Sequence, residues 1–236
     1  DTNGKPGPGY RGWLFHTDDG KLQPQRGVGL TPNISADFAD AAIGLIRRPS
    51  EKPFFLHVNC PAPHDPLLMP FGYEGMYDPN KIPLPGNFLP EHPFDHGNFN
   101  GRDEKLLPWP RTSEDVRDEL AVYYAVISHM DAQIGRIIKA LKETGQLENT
   151  VVIFSSDHGL AMGSHGLRGK QSMYEHTINV PLIISGPGIP RGKRIDAQCY
   201  LRDLFPTTCQ LAGIDIPPSV QGKSLVPCLP GNKQAT

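Results

Sequence analysis

The chain has 236 residues, long enough for one large domain or two small ones with a real hydrophobic core. Its formal net charge of -2 and sequence pI near 6.5 give no reason to expect nucleic acid or another polyanion as a partner. The 25 glycines and 25 prolines predict long ordered loops, and no apolar run approaches the roughly 20 residues of a membrane span.

The first third of the chain predicts a loop, a helix and a strand. Residues 1–32 are rich in glycine, proline and charge, which indicates a loop or an extended edge segment. A helix is predicted next, because apolar residues recur on one face at Ile34, Phe38, Ala41, Ala42 and Leu45. Residues 53–59 then form a short apolar run, typical of a strand that is buried on both faces.

Residues 61–112 are rich in proline and show little periodicity, which is typical of a functional loop that covers a site. Ser113 begins the longest predicted helix, and Gly145 ends it. Buried strands are predicted at 150–155 and 181–185, and a further helix at about 202–212.

Strands that alternate with helices predict an α/β fold, in which ligands bind just past the carboxyl ends of the strands. Two polar clusters meet that condition: His64 follows the first strand, and Asp157 with His158 follows the second. We expect both strands to lie in one sheet, with these residues at the same edge. On the residues alone, an Asp-His pair at a strand end is more often a turn cap than a metal site.

The segment from Ser155 to Lys170, SSDHGLAMGSHGLRGK, resembles the signature of the type I sulfatases, which belong to the alkaline phosphatase-like superfamily. PFFLHVNCPAPHDP resembles the strand that delivers a histidine in that family, and the segments from YYAVISHMD to QGKSL follow in the family's order. The resemblance implies a three-layer sandwich around a central, mostly parallel sheet that is incomplete here. Residues 33–236 would be the C-terminal portion of the catalytic domain.

The resemblance also implies a function and a site. The protein would be a sulfuric ester hydrolase that releases inorganic sulfate from an aryl sulfate or a sulfated carbohydrate, in the periplasm, outside the cell or in lysosomes. Asp157 and His158 would bind one divalent cation, Ca²⁺ in most members, although His158 could instead contact the sulfate or the nucleophile. Lys170 would place a positive charge on the sulfate oxygens, and His64 would donate a hydrogen bond or act as general acid. His165 could contact the substrate, but a brace for its loop is the favoured interpretation.

One expected part of the family pattern is absent from the sequence. Type I sulfatases use a formylglycine made from cysteine in a Cys-x-Pro-x-Arg context, and none of the four cysteines has that context. We therefore expect the nucleophile in an upstream portion of a parent protein, and no activity from this chain alone. Two alternatives stay open: a phosphodiesterase or phosphonate monoester hydrolase of the same superfamily, and a truncated chain without catalysis that binds ligands.

Overall fold

The computed structural model describes residue 21 and residues 31–229. Most of the segment predicted as a loop at 1–32 therefore lies outside the described residues. The chain divides into two compact units. The first contains the residues up to Thr144 and Leu160–Thr177, and the second contains Gly145–Gly159 and the residues from Ile178 onward.

Two helices form the frame of the first unit, and both were predicted. Helix α1 spans Ile34–Ile46 and helix α2 spans Ser113–Glu143. The side chain of Thr112 accepts a hydrogen bond from the Asp115 amide at 3.1 Å, which caps the start of α2. The two helices pack together, and two ion pairs join their exposed faces: Arg136 with Asp40, and Arg47 with Glu143.

The core of this unit forms where one face of α2 meets residues from the loops. Val116 and Leu120 are 1% and 4% exposed. Apolar side chains from two irregular segments, 61–112 and 160–170, pack around them. Because the loops contribute to this core, the position of each loop depends on apolar burial as well as on polar contacts. The buried cluster consists of Ile82, Leu107, Val116, Leu120, Ala121 and Met162.

Residues 61–112 form a long irregular segment, as predicted, with single turns of 3₁₀ helix at Pro79–Lys81 and Glu104–Leu106. The prediction of a strand at 53–59 is wrong. These residues have no ladder partner among the described residues, and Phe54 and Phe55 are 46% and 79% exposed. An apolar run favours an extended backbone, but a strand also needs a neighbouring strand to satisfy its N–H and C=O groups. A short helix α3, Glu175–Ile178, follows the irregular segment 160–170.

The second unit contains one sheet and one helix. Strand β1, Val152–Ser155, pairs antiparallel with β2, Leu182–Ser185, and helix α4 spans Leu204–Leu211. Both predicted strands and the helix are therefore present, but within the described residues the sheet has this antiparallel pair and no parallel one. β1 is only partly buried, and Ile183 in β2 is 60% exposed. None of the described helices is long and apolar enough to cross a membrane.

The core of the first unit leads to a stability prediction. Leu120→Ala should lower the free energy of unfolding by about 2–5 kcal/mol, because it leaves a cavity beside Val116. The matched control is Leu45→Ala in α1, where the leucine is 46% exposed, so little apolar area is lost. Urea unfolding of both variants measures the difference. An equal effect of the two substitutions would contradict this account of the core.

Candidate active site

The first unit brings together two of the predicted site residues that lie far apart in the sequence. Lys170 Nζ is 2.8 Å from His64 Nε2. The Lys170 side chain is 17% exposed and that of His64 is 23% exposed, so both are partly shielded but can still reach a ligand. His64 also borders a small open surface depression, lined in part by Leu67, Leu68 and Val126.

The hydrogen bonds around His64 define which ring nitrogen carries a hydrogen. His64 Nδ1 is 2.7 Å from the backbone oxygen of Asp65, which can only accept, so Nδ1 is the donor. The ammonium group of Lys170 can only donate, so Nε2 accepts from it. The geometry therefore corresponds to a neutral imidazole with its hydrogen on Nδ1. The nitrogen that points at Lys170 carries a lone pair.

The loop from Leu160 to Lys170 is shaped by two glycines with positive φ. A Cβ on Gly163, at φ +96°, would lie 2.7 Å from the side chain of Val116. A Cβ on Gly166, at φ +74°, would lie 2.4 Å from the backbone of Glu91. The ring of His165 stacks on Tyr174 with the centroids 4.0 Å apart, and its amide donates to the Asn87 carbonyl. The structure gives His165 the bracing contacts that were predicted for it.

A buried carboxylate attaches this loop to the long irregular segment. Glu104 is 2% exposed, and its two oxygens accept from the amides of Arg168 and Gly169 at 2.9 and 2.8 Å. The guanidinium of Arg111, 1% exposed, lies 2.6 Å from Glu104 Oε2. Burial lowers the pKa of Arg111, although the charge of Glu104 opposes this effect. Glu104 thus fixes the backbone immediately before Lys170.

Four charged side chains, those of Asp65, Arg102, Asp103 and Arg168, complete the surroundings of the His64–Lys170 pair. Asp65, fully buried, lies between Arg102 at 2.5 Å and Arg168 at 3.4 Å. Neither carboxylate oxygen of Asp65 has a well-aligned hydrogen bond within the described part of the chain, so this carboxylate is held by attraction to the two arginines. Asp103 follows Arg102 and is 2% exposed. Its desolvation is outweighed by the Gln171 hydrogen bond and by the charges of Lys170 and Arg102, so the pKa of Asp103 lies below its usual value.

Asp157 and His158 lie in the second unit, directly after β1 as predicted. Asp157 Oδ1 accepts from the His158 amide at 2.9 Å, and the Asp157 side chain is 80% exposed. His158 Nδ1 is 3.0 Å from the Gly159 carbonyl oxygen, and His158 Nε2 is 3.4 Å from Asp157 Oδ2. The Asp157 carboxylate therefore caps the turn that follows β1.

These two residues fit a metal site only as part of a ligand set. The exposed carboxylate of Asp157 is a suitable hard ligand, and His158 Nε2 lies 3.4 Å from its Oδ2. Ca²⁺ takes about 6–8 oxygen ligands. The residues described here include no group of three or more acidic, histidine or cysteine side chains that could hold a metal ion.

Comparison with known proteins agrees with the fold. The sulfatase family model matches residues 11–214. An arylsulfatase of Clostridium perfringens is 39% identical over 199 residues, which are 82% of this chain and 40% of that protein. Arylsulfatase K of Xenopus laevis is 34% identical over 210 residues, 83% of this chain and 39% of that protein. The phosphonate monoester hydrolase of Silicibacter pomeroyi superposes with a TM-score of 0.72 at 30% identity, over 93% of this chain and 46% of that one.

The chain shares the α/β fold of these hydrolases, and the predicted fold class is confirmed. It belongs to the sulfatase family. It spans about two fifths of the length of the curated relatives that it matches, 40% and 39% in these two cases. The whole protein's activity is therefore taken up as a proposal.

Sequence analysis missed the buried charges that support the site. Arg102, Asp103 and Glu104 lie in a segment without periodicity, so no pattern predicted the burial of Asp103 and Glu104 or the ion pairs of Arg102. Arg168 lies inside the recognised motif, two residues before Lys170, and its place there was the only signal that it could matter.

The buried pair of Glu104 and Arg111 gives a second prediction. Glu104→Gln should lower the free energy of unfolding by about 3–5 kcal/mol, because it leaves the Arg111 guanidinium buried without its counter-charge. An amide also has only one accepting oxygen, whereas Glu104 uses both.

The control is Glu143→Gln, which removes an exposed ion pair with Arg47 in the same unit. That change should cost about 1 kcal/mol or less. Chemical unfolding of both variants decides the matter. A loss for Glu104→Gln no larger than that for Glu143→Gln would show that the buried pair does not stabilise the unit.

Proposed function

We propose that the protein is a sulfuric ester hydrolase that releases inorganic sulfate from an aryl sulfate or a sulfated carbohydrate. The observation that carries the proposal is the direct contact between Lys170 and His64, 2.8 Å apart, in a chain of the sulfatase family. The two similar arylsulfatases support a sulfate ester as substrate. By the same likeness, we propose that the protein works in the periplasm, outside the cell or in lysosomes.

Lys170 has the charge and exposure that sulfate binding needs. Its ammonium group is partly shielded from water, so its attraction for an anionic oxygen is stronger than that of a fully solvated lysine. The leaving oxygen of the sulfate ester gains negative charge as the ester bond breaks. Lys170 therefore stabilises the transition state more than the bound ester, by about 3 kcal/mol for one such donor.

His64 is the candidate proton donor to the leaving oxygen. In the described geometry its Nε2 accepts from Lys170 and has no proton to give. When a sulfate ester binds, its oxygens share the ammonium hydrogens of Lys170, so that Nε2 can take a proton from water and pass it to the departing alkoxide. Catalysis by His64 would thus begin only after sulfate is bound.

Asp157 and His158 are the proposed ligands of a divalent cation, with Ca²⁺ as the preferred ion because carboxylate oxygen is a hard ligand. Such an ion polarises sulfate oxygens when it is bound. The formylglycine nucleophile and the other metal ligands would come from a part of the protein outside this sequence. Asp157 is the stronger of the two candidates, since imidazole is a less natural ligand for Ca²⁺.

A phosphonate monoester hydrolase is the second candidate, because such an enzyme superposes on 93% of this chain at 30% identity. Both activities need a cation facing the anionic oxygens and a proton for the leaving group. Comparison of kcat/KM for an aryl sulfate and a matched aryl phosphonate separates them. The proposal expects the sulfate to be the better substrate, and a preference for the phosphonate would replace it with this alternative.

Substitution of Asp157, Lys170 or His64 should lower the activity of the natural gene product that contains this chain, each in a different way. Asp157→Ala should abolish metal-dependent turnover and weaken calcium binding together. Lys170→Ala should lower kcat by about 100- to 1,000-fold. His64→Ala should lower the rate far more for sugar sulfates than for nitrophenyl sulfates, because an alkoxide needs a proton to leave and a nitrophenolate does not.

Lys139→Ala and His57→Ala serve as matched controls, since both side chains are exposed in the first unit. Both should retain full activity with each substrate. This chain alone should hydrolyse neither ester, and turnover by it would show that the proposed source of the nucleophile is wrong. Equal losses for the two leaving groups in His64→Ala would reduce His64 to a residue that positions sulfate.

A further inference from the structure

Asp103 occupies a central place beside the proposed sulfate-binding lysine. Its side chain is 2% exposed, and Oδ2 accepts from Gln171 Nε2 at 2.8 Å. The same oxygen lies 4.0 Å from Lys170 Nζ. Since the pKa of Asp103 is below its usual value, the carboxylate is charged over the ordinary pH range and attracts the ammonium group.

Arg102 joins this carboxylate to the segment that carries His64. Its Nη1 lies 2.6 Å from Asp103 Oδ1 and 2.5 Å from Asp65 Oδ2. The backbone oxygen of Asp65 in turn accepts from His64 Nδ1. One guanidinium nitrogen therefore bridges the carboxylate that faces Lys170 and the residue that holds the His64 ring.

We infer that Asp103 is a positioning residue that, with Arg102, holds the Lys170 ammonium group against His64 Nε2. This inference rests on the proposed function for its meaning in catalysis, but its geometric part can be tested without any turnover. Asp103 lies 4.0 Å from Lys170, too far for a hydrogen bond. It therefore acts through charge, and leaves the ammonium hydrogens available for His64 and for a sulfate oxygen.

A purely structural role for Asp103 makes a different prediction from a positioning role. If Asp103 only stabilised the fold, its loss would lower the unfolding temperature and the amount of active protein, with kcat and KM of the folded fraction unchanged. If it positions Lys170, its loss lets the ammonium group move by about 1 Å or more, and misplacement of that size costs about 100-fold in rate. The folded variant would then show the loss in kcat.

The test uses Asp103→Asn, which keeps the shape and the ability to accept from Gln171 but removes the charge. The first measurement is the ¹⁵N ammonium signal of Lys170 in the chain itself, which is visible only while hydrogen bonding slows exchange with water. We expect the signal in the unchanged protein and its loss in Asp103→Asn. The second is the kinetics of the gene product, where kcat should fall about 100-fold with little change in KM.

Asp78→Asn is the matched control, because it removes an exposed carboxylate that pairs with Lys81 at 3.3 Å in the same unit. It should change neither measurement. If Asp103→Asn does not fold, Gln171→Met serves instead, since it removes one hydrogen bond to the same oxygen and should weaken the Lys170 signal.

A Lys170 signal that survives in Asp103→Asn, or in Gln171→Met if that variant is used, would overturn the inference, as would an unchanged kcat in an active protein. Loss of the signal in a gene product that hydrolyses no sulfate ester would keep the geometric inference and remove the proposed function. The two claims can therefore fail separately.

Discussion

The buried carboxylate of Glu104 is the contact on which the candidate site depends. It accepts from two consecutive loop amides, at Arg168 and Gly169, and pairs with the Arg111 guanidinium. A buried charge of this kind is tolerated only when its partners are in place, because an unpaired charge in the interior is very costly. The loop that ends at Lys170 and the irregular segment that contains Asp103 therefore hold one arrangement. Without that constraint, no contact would fix the segment that carries Lys170 beside the segment that carries His64.

Three basic and four acidic side chains surround the His64–Lys170 pair, and the formal charges cancel when Lys170 is included. The surrounding basic side chains are Arg102, Arg111 and Arg168. The acidic ones are Asp65, Asp103, Glu104 and Glu119, and Glu119 Oε1 lies 2.5 Å from the Arg168 guanidinium. The hydrogen bonds of His64 correspond to a neutral ring beside this balanced cluster. An incoming sulfate ester brings the negative charge that a protonated His64 would need. Binding of substrate and activation of the proton donor are coupled in this account.

Periodicity and motif predicted different parts of the structure with different success. Helices α1 and α2 were predicted because helical spacing of apolar residues is a local property of the sequence. The extended run at 53–59 was predicted as a buried strand and is not one, since ladder partners and a covering layer are not encoded in the run itself. His64 and Lys170 were predicted through the family motif, and the structure joins them.

The charged network could not be predicted, because burial of Glu104 or Asp103 depends on the tertiary contacts of a loop without periodicity. The metal site, in contrast, was predicted from the motif and stays a prediction. Asp157 and His158 lie at the end of β1 as expected, and they supply too few ligands for Ca²⁺ without others.

The tautomer of His64 tests the central claim, that the surrounding charges hold Lys170 against an unprotonated Nε2. Long-range ¹H–¹⁵N correlation on protein with ¹⁵N-labelled histidine, recorded above neutral pH, distinguishes the two ring nitrogens. The account predicts a hydrogen on Nδ1, bonded to the Asp65 carbonyl, and a lone pair on Nε2. A hydrogen on Nε2 would contradict it, since that nitrogen could not then accept from Lys170.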